Sequence, residues 1–195
     1  MGVVEKVLEG ADELQSLMIL LVGADDVPIK GQLKFQKIMY LLADRIEKIR
    51  EQSNYESDML GPYSEVVDEE YQYLKIVGVF TANPYLISLS PEGKKIAEQL
   101  KKKEKPQVME LIHDYKEFLN NMTSDELLCF MYSAYPDMTS ESVKYQQLLP
   151  IMEDTILKLV KKKKISAERA AELLNKKYDY IIKCMKEKGI PVFLD

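Results

Sequence analysis

Apolar residues recur at three- and four-residue spacing in one segment after another, and turn signals separate the segments. That period belongs to the α-helix, where such positions share a face. Val4, Val7, Leu8, Ala11, Leu14, Met18 and Leu21 form a first stripe, which residues 23–28 break with Gly, two Asp and Pro. Phe35, Ile38, Met39, Leu42, Ile46 and Ile49 form a second stripe. Its outer face is expected to carry Gln32, Lys34, Gln36 and Lys37. Ser64, after Gly61-Pro62-Tyr63, is an N-cap for a third helix that places Val67, Tyr71 and Leu74 on one side and ends near Val77. The rhythm then changes. Residues 79–81 and 85–89 flank Ala82-Asn83-Pro84 and predict two short strands around a turn.

Helical spacing returns at Ser90-Pro91, a cap with proline at the first helical position. Residues 101–106 read as a connector, and Val108, Leu111, Ile112, Tyr115, Phe118 and Leu119 as the next helix. Thr123 and Glu126 have the spacing of a capping box, and Pro136 closes the helix they open. After Pro150, a stripe of Met152, Thr155, Ile156, Leu159 and Val160 runs into four lysines at 161–164. Ser166 caps a short helix containing Ala170, Ala171 and Leu173. Asn175 suits a left-handed turn position, and Tyr178, Ile181, Ile182 and Met185 line a second helix that Gly189 and Pro191 end. Val192-Phe193-Leu194 reads as an extended tail.

The 195 residues are 46% apolar and 30% charged, a globular balance that can bury a core without disulfides. The longest apolar run, residues 17–22, is far short of the ~20 residues that span a bilayer. The first six residues hold charge and no apolar core of a secretory signal, and Lys6 stands where a myristoylation motif has Ser or Thr. Cys129 and Cys184 match no metal or redox spacing, which suits reduced thiols in a cytoplasm. The net charge of −5 is uneven. Residues 1–100 hold 10 basic and 17 acidic groups, residues 101–154 hold 6 and 10, and residues 155–195 hold 11 and 5. An acidic body thus ends in a basic segment.

The expected fold is mainly α: a winged helix-like domain with helical additions over residues 1–145, followed by a small basic helix-turn-helix domain over 146–195. Helix, helix, helix and hairpin across 31–89 is winged-helix connectivity. Leu74-Lys75-Ile76-Val77-Gly78-Val79-Phe80, with Leu86-Ile87-Ser88-Leu89-Ser90-Pro91-Glu92-Gly93, resembles the segment around the wing of many bacterial and archaeal winged helices. Leu33-Lys34-Phe35-Gln36-Lys37-Ile38-Met39-Tyr40-Leu41-Leu42, with Gly61-Pro62-Tyr63-Ser64, resembles the YwgA-like and Panacea (SocA-like) group of phage-associated proteins across residues 5–145. That resemblance implies an antitoxin or proteolytic-adaptor role. Ile165-Ser166-Ala167-Glu168-Arg169-Ala170-Ala171-Glu172-Leu173-Leu174, with Met185-Lys186-Glu187-Lys188-Gly189-Ile190-Pro191-Val192, is similar to a small antitoxin-like helix-turn-helix family of archaea and cyanobacteria across 156–195. Ala167-Glu168-Arg169 and Asn175-Lys176-Lys177 depart from its usual pattern.

In a winged helix the third helix enters the DNA groove. Here that helix carries Glu65, Asp68, Glu69 and Glu70 against Lys75, and carboxylates repel phosphates. Glu65, Asp68 and Glu69, with Tyr63 and Tyr73, are therefore candidate contacts for a protein partner, either a cationic toxin-like protein or a second copy in a homodimer. Any DNA contact falls to Lys176 and Lys177 in the turn, Lys183 on the last helix, and Lys163 and Lys164 before them. The plain alternatives are a solvated face for the first three and macrodipole complementation for residues 161–164. The last helix has no Arg, so bidentate reading of guanine is not expected.

No catalytic, cofactor or metal site is expected. His113 stands alone as the single histidine and reads as structural or surface. Asp68-Glu69-Glu70 suggests a nuclease metal site only distantly, since adjacent helical residues point apart. The function expected is therefore that of a non-enzymatic antitoxin-like or transcription-regulatory protein. A protein–protein adaptor without DNA binding is the alternative, and a metal-dependent nuclease a distant one.

Overall fold

The structure is a computed structural model, and it describes residues 7, 9–83 and 85–192. Val4, Lys6, Leu8, Pro84, Phe193 and Leu194, named above, lie outside the described residues. The chain is mainly helical and folds as two compact units: residues 1–56 with 62–121, and residues 57–61 with 122–195. The expected domain boundary lies at 145/146 and the charge break at 154/155, whereas the compact units meet in the chain at 121/122.

In the first unit, α1 (Glu13–Gly23) starts at Asp12, whose carboxylate accepts the Gln15 N–H at 2.8 Å. The cap interrupts the single stripe expected from Val4 to Leu21. Seven residues of α1 are buried, Leu14 and the unbroken run from Leu17 to Val22 among them. A helix buried on most of its surface is central, and α1 packs against four other helices of this unit, at 47–53, 65–76, 91–101 and 106–120. A 3₁₀ turn (Ala24–Asp26) follows, then α2 (Gln32–Arg45) and α3 (Glu47–Ser53). The second stripe is thus two helices, because Ile46 leaves helical geometry with φ −115° and ψ 101°. α4 (Glu65–Ile76), α5 (Pro91–Lys101) and α6 (Pro106–Asn120) complete the unit.

The expected hairpin is not a sheet. Among the described residues, the pairing around it consists of isolated antiparallel bridges, Phe80 to Leu89 and Ile29 to Ile87. Thr81 N–H still donates to the Ser88 carbonyl at 2.9 Å. Beyond that pair the Asn83 side chain accepts the N–H groups of Tyr85 and Leu86, at 2.9 and 3.2 Å, so they are not offered to a partner strand. Gly93 on α5 lets that helix close on this segment, because a Cβ there would sit 2.2 Å from the Val79 carbonyl oxygen.

In the second unit, α7 (Ser124–Ala134) opens with the full capping box of Thr123 and Glu126. A 3₁₀ turn (Pro136–Met138) leads to α8 (Tyr145–Lys161), α9 (Ala167–Leu174) and α10 (Tyr178–Glu187). α8 begins five residues ahead of Pro150, which lies inside it rather than before it. The core joins Leu127, Leu128 and Met131 of α7 with Ile156 and Leu159 of α8, Ala170 of α9 and Ile181 and Met185 of α10. Residues 57–61 attach through Met59, whose carbonyl accepts the Val143 N–H at 3.1 Å and the Ser142 hydroxyl at 3.2 Å. Both cysteines are buried free thiols in this unit, and burial pushes the Cys129 thiol up to about 11.

Candidate nucleic-acid interface

α9 and α10 are joined by residues 175–177, the connection length of a helix-turn-helix. Ser166 starts α9 by accepting the Arg169 N–H at 3.1 Å. Asn175 ends it in the left-handed conformation with φ 50°, a geometry an Asn tolerates at modest cost. Lys176 N–H then returns to the Ala171 carbonyl at 2.9 Å, which locks the turn. Lys177 is the N-cap residue of α10. On α10, Ile181, Cys184 and Met185 are buried, so the opposite face looks outward.

Lys176, Lys177 and Lys183 are all exposed on this motif. The Lys176 ammonium stands 5.6 Å from the centre of the Tyr180 ring. Lys183 makes a long ion pair of 3.9 Å with Glu187, one turn on. Lys163, in a left-handed conformation with φ 57°, and Lys164 line a depression of about 490 Å³ beside Ser166, together with Glu168, Tyr178 and Met185. Other lysines of the unit are engaged by carboxylates: Lys162 pairs with Glu126 at 2.5 Å and Lys188 with Asp154 at 2.8 Å.

Two residues of this surface carry no signal in the hydrophobic pattern. Tyr180 is 40% exposed on α10, and its hydroxyl donates to the Glu153 carboxylate of α8 at 3.1 Å. Its phenol is pushed up to about 12 by the Cys184 thiol and Glu153 beside it. Asp179 is exposed near the start of α10. An aromatic and a carboxylate placed among lysines are the available sequence signal for both.

The acidic candidates lie in the first unit, on a helix whose start is fixed from α2. The Gln36 side chain donates to the Ser64 carbonyl at 3.0 Å and accepts the Ser64 N–H at 3.3 Å. The Lys37 ammonium donates to the Pro62 carbonyl at 2.7 Å. The Ser64 hydroxyl in turn donates to the Ser53 carbonyl and accepts the Val67 N–H. The two motifs that carry the resemblance in this region are thus one buried polar network. Gln36 and Lys37 are 2% and 1% exposed, so they do not form the outer face expected of them. Lys34, also buried, donates to the Asn120 carbonyl at 2.7 Å. Burial succeeds because each ammonium finds backbone oxygen in place of water.

On α4, Glu65 and Glu69 are exposed, and Tyr73 is 46% exposed. Asp68 instead accepts from the Gln32 amide and Glu70 from the Gln15 amide, the latter at 2.6 Å. Tyr63 is half-buried. Asp68, Glu69 and Glu70 therefore diverge, and among the described residues no group of three His, Cys, Asp or Glu side chains could hold a metal ion. His113 Nδ1 lies 2.8 Å from the Asp25 carboxylate, which holds the imidazole above its usual range. No helix among the described residues is long and apolar enough to cross a membrane. Comparison with family models, curated proteins and solved structures finds no match for the chain.

Proposed function

We propose that this chain is a non-enzymatic, cytoplasmic binding protein of antitoxin-like or transcription-regulatory type. Its α9–turn–α10 motif contacts DNA, and the exposed carboxylates of α4 hold a basic protein partner. The reading rests above all on one observation: Lys176, Lys177 and Lys183 are exposed on a motif with an eight-residue helix, a three-residue turn and a ten-residue helix. Such a turn and second helix meet phosphates and base edges in known helix-turn-helix proteins. The two resemblances in sequence point the same way. In the first unit, α2, α3 and α4 followed by the bridged turn support a winged helix-like arrangement, with α4 turned to protein rather than to phosphate.

The test is an electrophoretic mobility shift with the full chain and duplex DNA over a salt series. Binding should weaken steeply with salt. Lys176→Glu, Lys177→Glu and Lys183→Glu together should lower affinity at least about 100-fold by turning attraction for phosphate into repulsion, and should flatten the salt slope, to which each phosphate contact contributes roughly 0.9. Absence of salt-dependent binding would remove the DNA role and leave the adaptor reading. The exposed Glu65, Glu69 and Tyr73 of α4 favour that second reading.

A further inference from the structure

On α10, Asp179, Lys183 and Lys186 follow at intervals of four and three residues and are all exposed. Those intervals put them on one helical face, opposite the buried Ile181, Cys184 and Met185. Asp179 sits at the N-terminal end of this face, the end from which recognition helices reach base edges. It does not pair with Lys183 one turn on; Lys183 leans to Glu187 instead. Among the described residues, the Asp179 carboxylate makes no ion pair or hydrogen bond.

A carboxylate on the outward midline of a DNA-contacting helix is unfavourable for phosphate binding. It becomes favourable only against a hydrogen-bond donor in the groove, and the major groove offers two, the amino groups of cytosine N4 and adenine N6. Adenine also presents its N7 lone pair beside N6, which a second carboxylate oxygen would oppose. Cytosine presents no acceptor of its own beside N4, and its paired guanine offers O6 and N7 to a cation. Residues four apart on a helix are about 5–6 Å apart at Cβ, close enough to address one base pair or its neighbour.

We infer that Asp179 is a specificity-determining residue of this protein, accepting a hydrogen bond from a cytosine amino group in the major groove, with Lys183 donating to the adjoining guanine edge. The inference rests on the DNA-binding reading above. It accounts for an exposed, unpaired acidic residue on the same helical face as Lys183 and Lys186. Lys176 and Lys177 supply sequence-independent phosphate contacts, and Asp179 makes one position of the site selective.

The experiment is selection of bound duplexes from a random library by the full chain and by its Asp179→Ala and Asp179→Asn variants. Thermal unfolding of each protein serves as a control on folding. The native chain should prefer cytosine at one position by roughly 10-fold, within the range of a good base contact. Asp179→Ala should bind bulk duplex at least as tightly as the native chain and lose that preference. Asp179→Asn should shift it toward adenine, whose N6 and N7 suit an amide. The same cytosine preference in all three proteins, or no preference in the native chain, overturns the role of Asp179 and leaves DNA binding standing. If no duplex is retained by the native chain at low salt, the DNA-binding reading itself fails, and this inference with it.

Discussion

Lys34, Lys37 and Lys116 of the first unit are buried with their ammonium groups on backbone carbonyls, whereas Lys176, Lys177 and Lys183 of the second unit are exposed. Lys116 is the fullest case. Its three N–H donors have three acceptors, the carbonyls of Leu21, Val22 and Ala24 at 3.0, 3.1 and 2.6 Å. These oxygens lie at the C-terminal end of α1, where the helix leaves carbonyls without internal partners and its dipole favours a cation. These six lysines thus fall into two kinds, three fixed in the backbone hydrogen-bond system and three exposed at the surface. Composition counts both alike. The basic character of α2 is internal, and the basic character of α10 is external. That contrast supports the proposal that any DNA contact falls to the second unit.

The largest expected effect follows from removing an internal ammonium. Lys116→Met keeps most of the stem's packing but removes three charged hydrogen bonds to buried backbone carbonyls, a loss on the order of 3 kcal/mol. Lys37→Met frees the Pro62 carbonyl and should cost about 2 kcal/mol. Lys176→Met and Lys177→Met should each stay within about 0.5 kcal/mol, as surface substitutions do. Urea unfolding of the full chain measures all four. Equal losses at Lys116 and Lys176 would abolish the distinction between internal and external lysines.

The helix caps give a second, smaller comparison. Ser64 caps α4 while buried, and its hydroxyl both donates to Ser53 and accepts from Val67. Ser166 caps α9 from an exposed position. Ser64→Ala should cost about 2 kcal/mol and Ser166→Ala about 1 kcal/mol, the upper and middle of the range for N-caps. The same unfolding measurement decides it, and a larger loss at Ser166 would contradict the buried network as the anchor of α4.

What the sequence discloses and what it hides divides along the same line. Ser64, Ser90-Pro91, Thr123 with Glu126, Ser166 and Asn175 act within three or four residues of themselves, and each stands at its expected cap or turn. Signals that act at distance are silent. Lys37 meets Pro62 25 residues away, Lys34 meets Asn120 86 away, and Lys116 meets Leu21 95 away. Helical spacing alone assigns the first two to a wet face, since nothing local names their carbonyls. The short strands failed for a related reason: Val79 to Leu89 has β-prone residues, but the Asn83 side chain takes local amides a ladder would need. For the candidate site, the three lysines of α9–α10 were legible from charge. Asp179 and Tyr180 were not, because their meaning depends on which side of α10 the core occupies.

The finest test concerns pH, because α6 places two titrating groups on the same turn with opposite signs. Burial lowers the Lys116 pKa to about 8, so it is mostly an ammonium at neutral pH and can fill all three carbonyls. Between about 8 and its ordinary value of 10.5, the unfolded chain binds more protons at this residue than the folded one. Its contribution to stability therefore rises with pH across that window. His113, three residues earlier, is held above its ordinary 6.5 by its hydrogen bond to Asp25, with Glu117 and Asp114 adding in the same direction. Its stabilisation is full below 6.5 and is lost as pH rises through the higher folded value. Asp26 next to Asp25 stays ionised throughout, held low by Lys94 of α5, and so adds no slope in this range. The His113→Gln variant should lack the fall just above pH 6.5 and keep the rise above 8. Lys116→Met should show the reverse, and denaturation midpoints compared with the native chain at half-unit pH steps separate the two. If both variants followed the native profile, the turn from Leu21 to Asp26 would not be the point at which α6 senses protons.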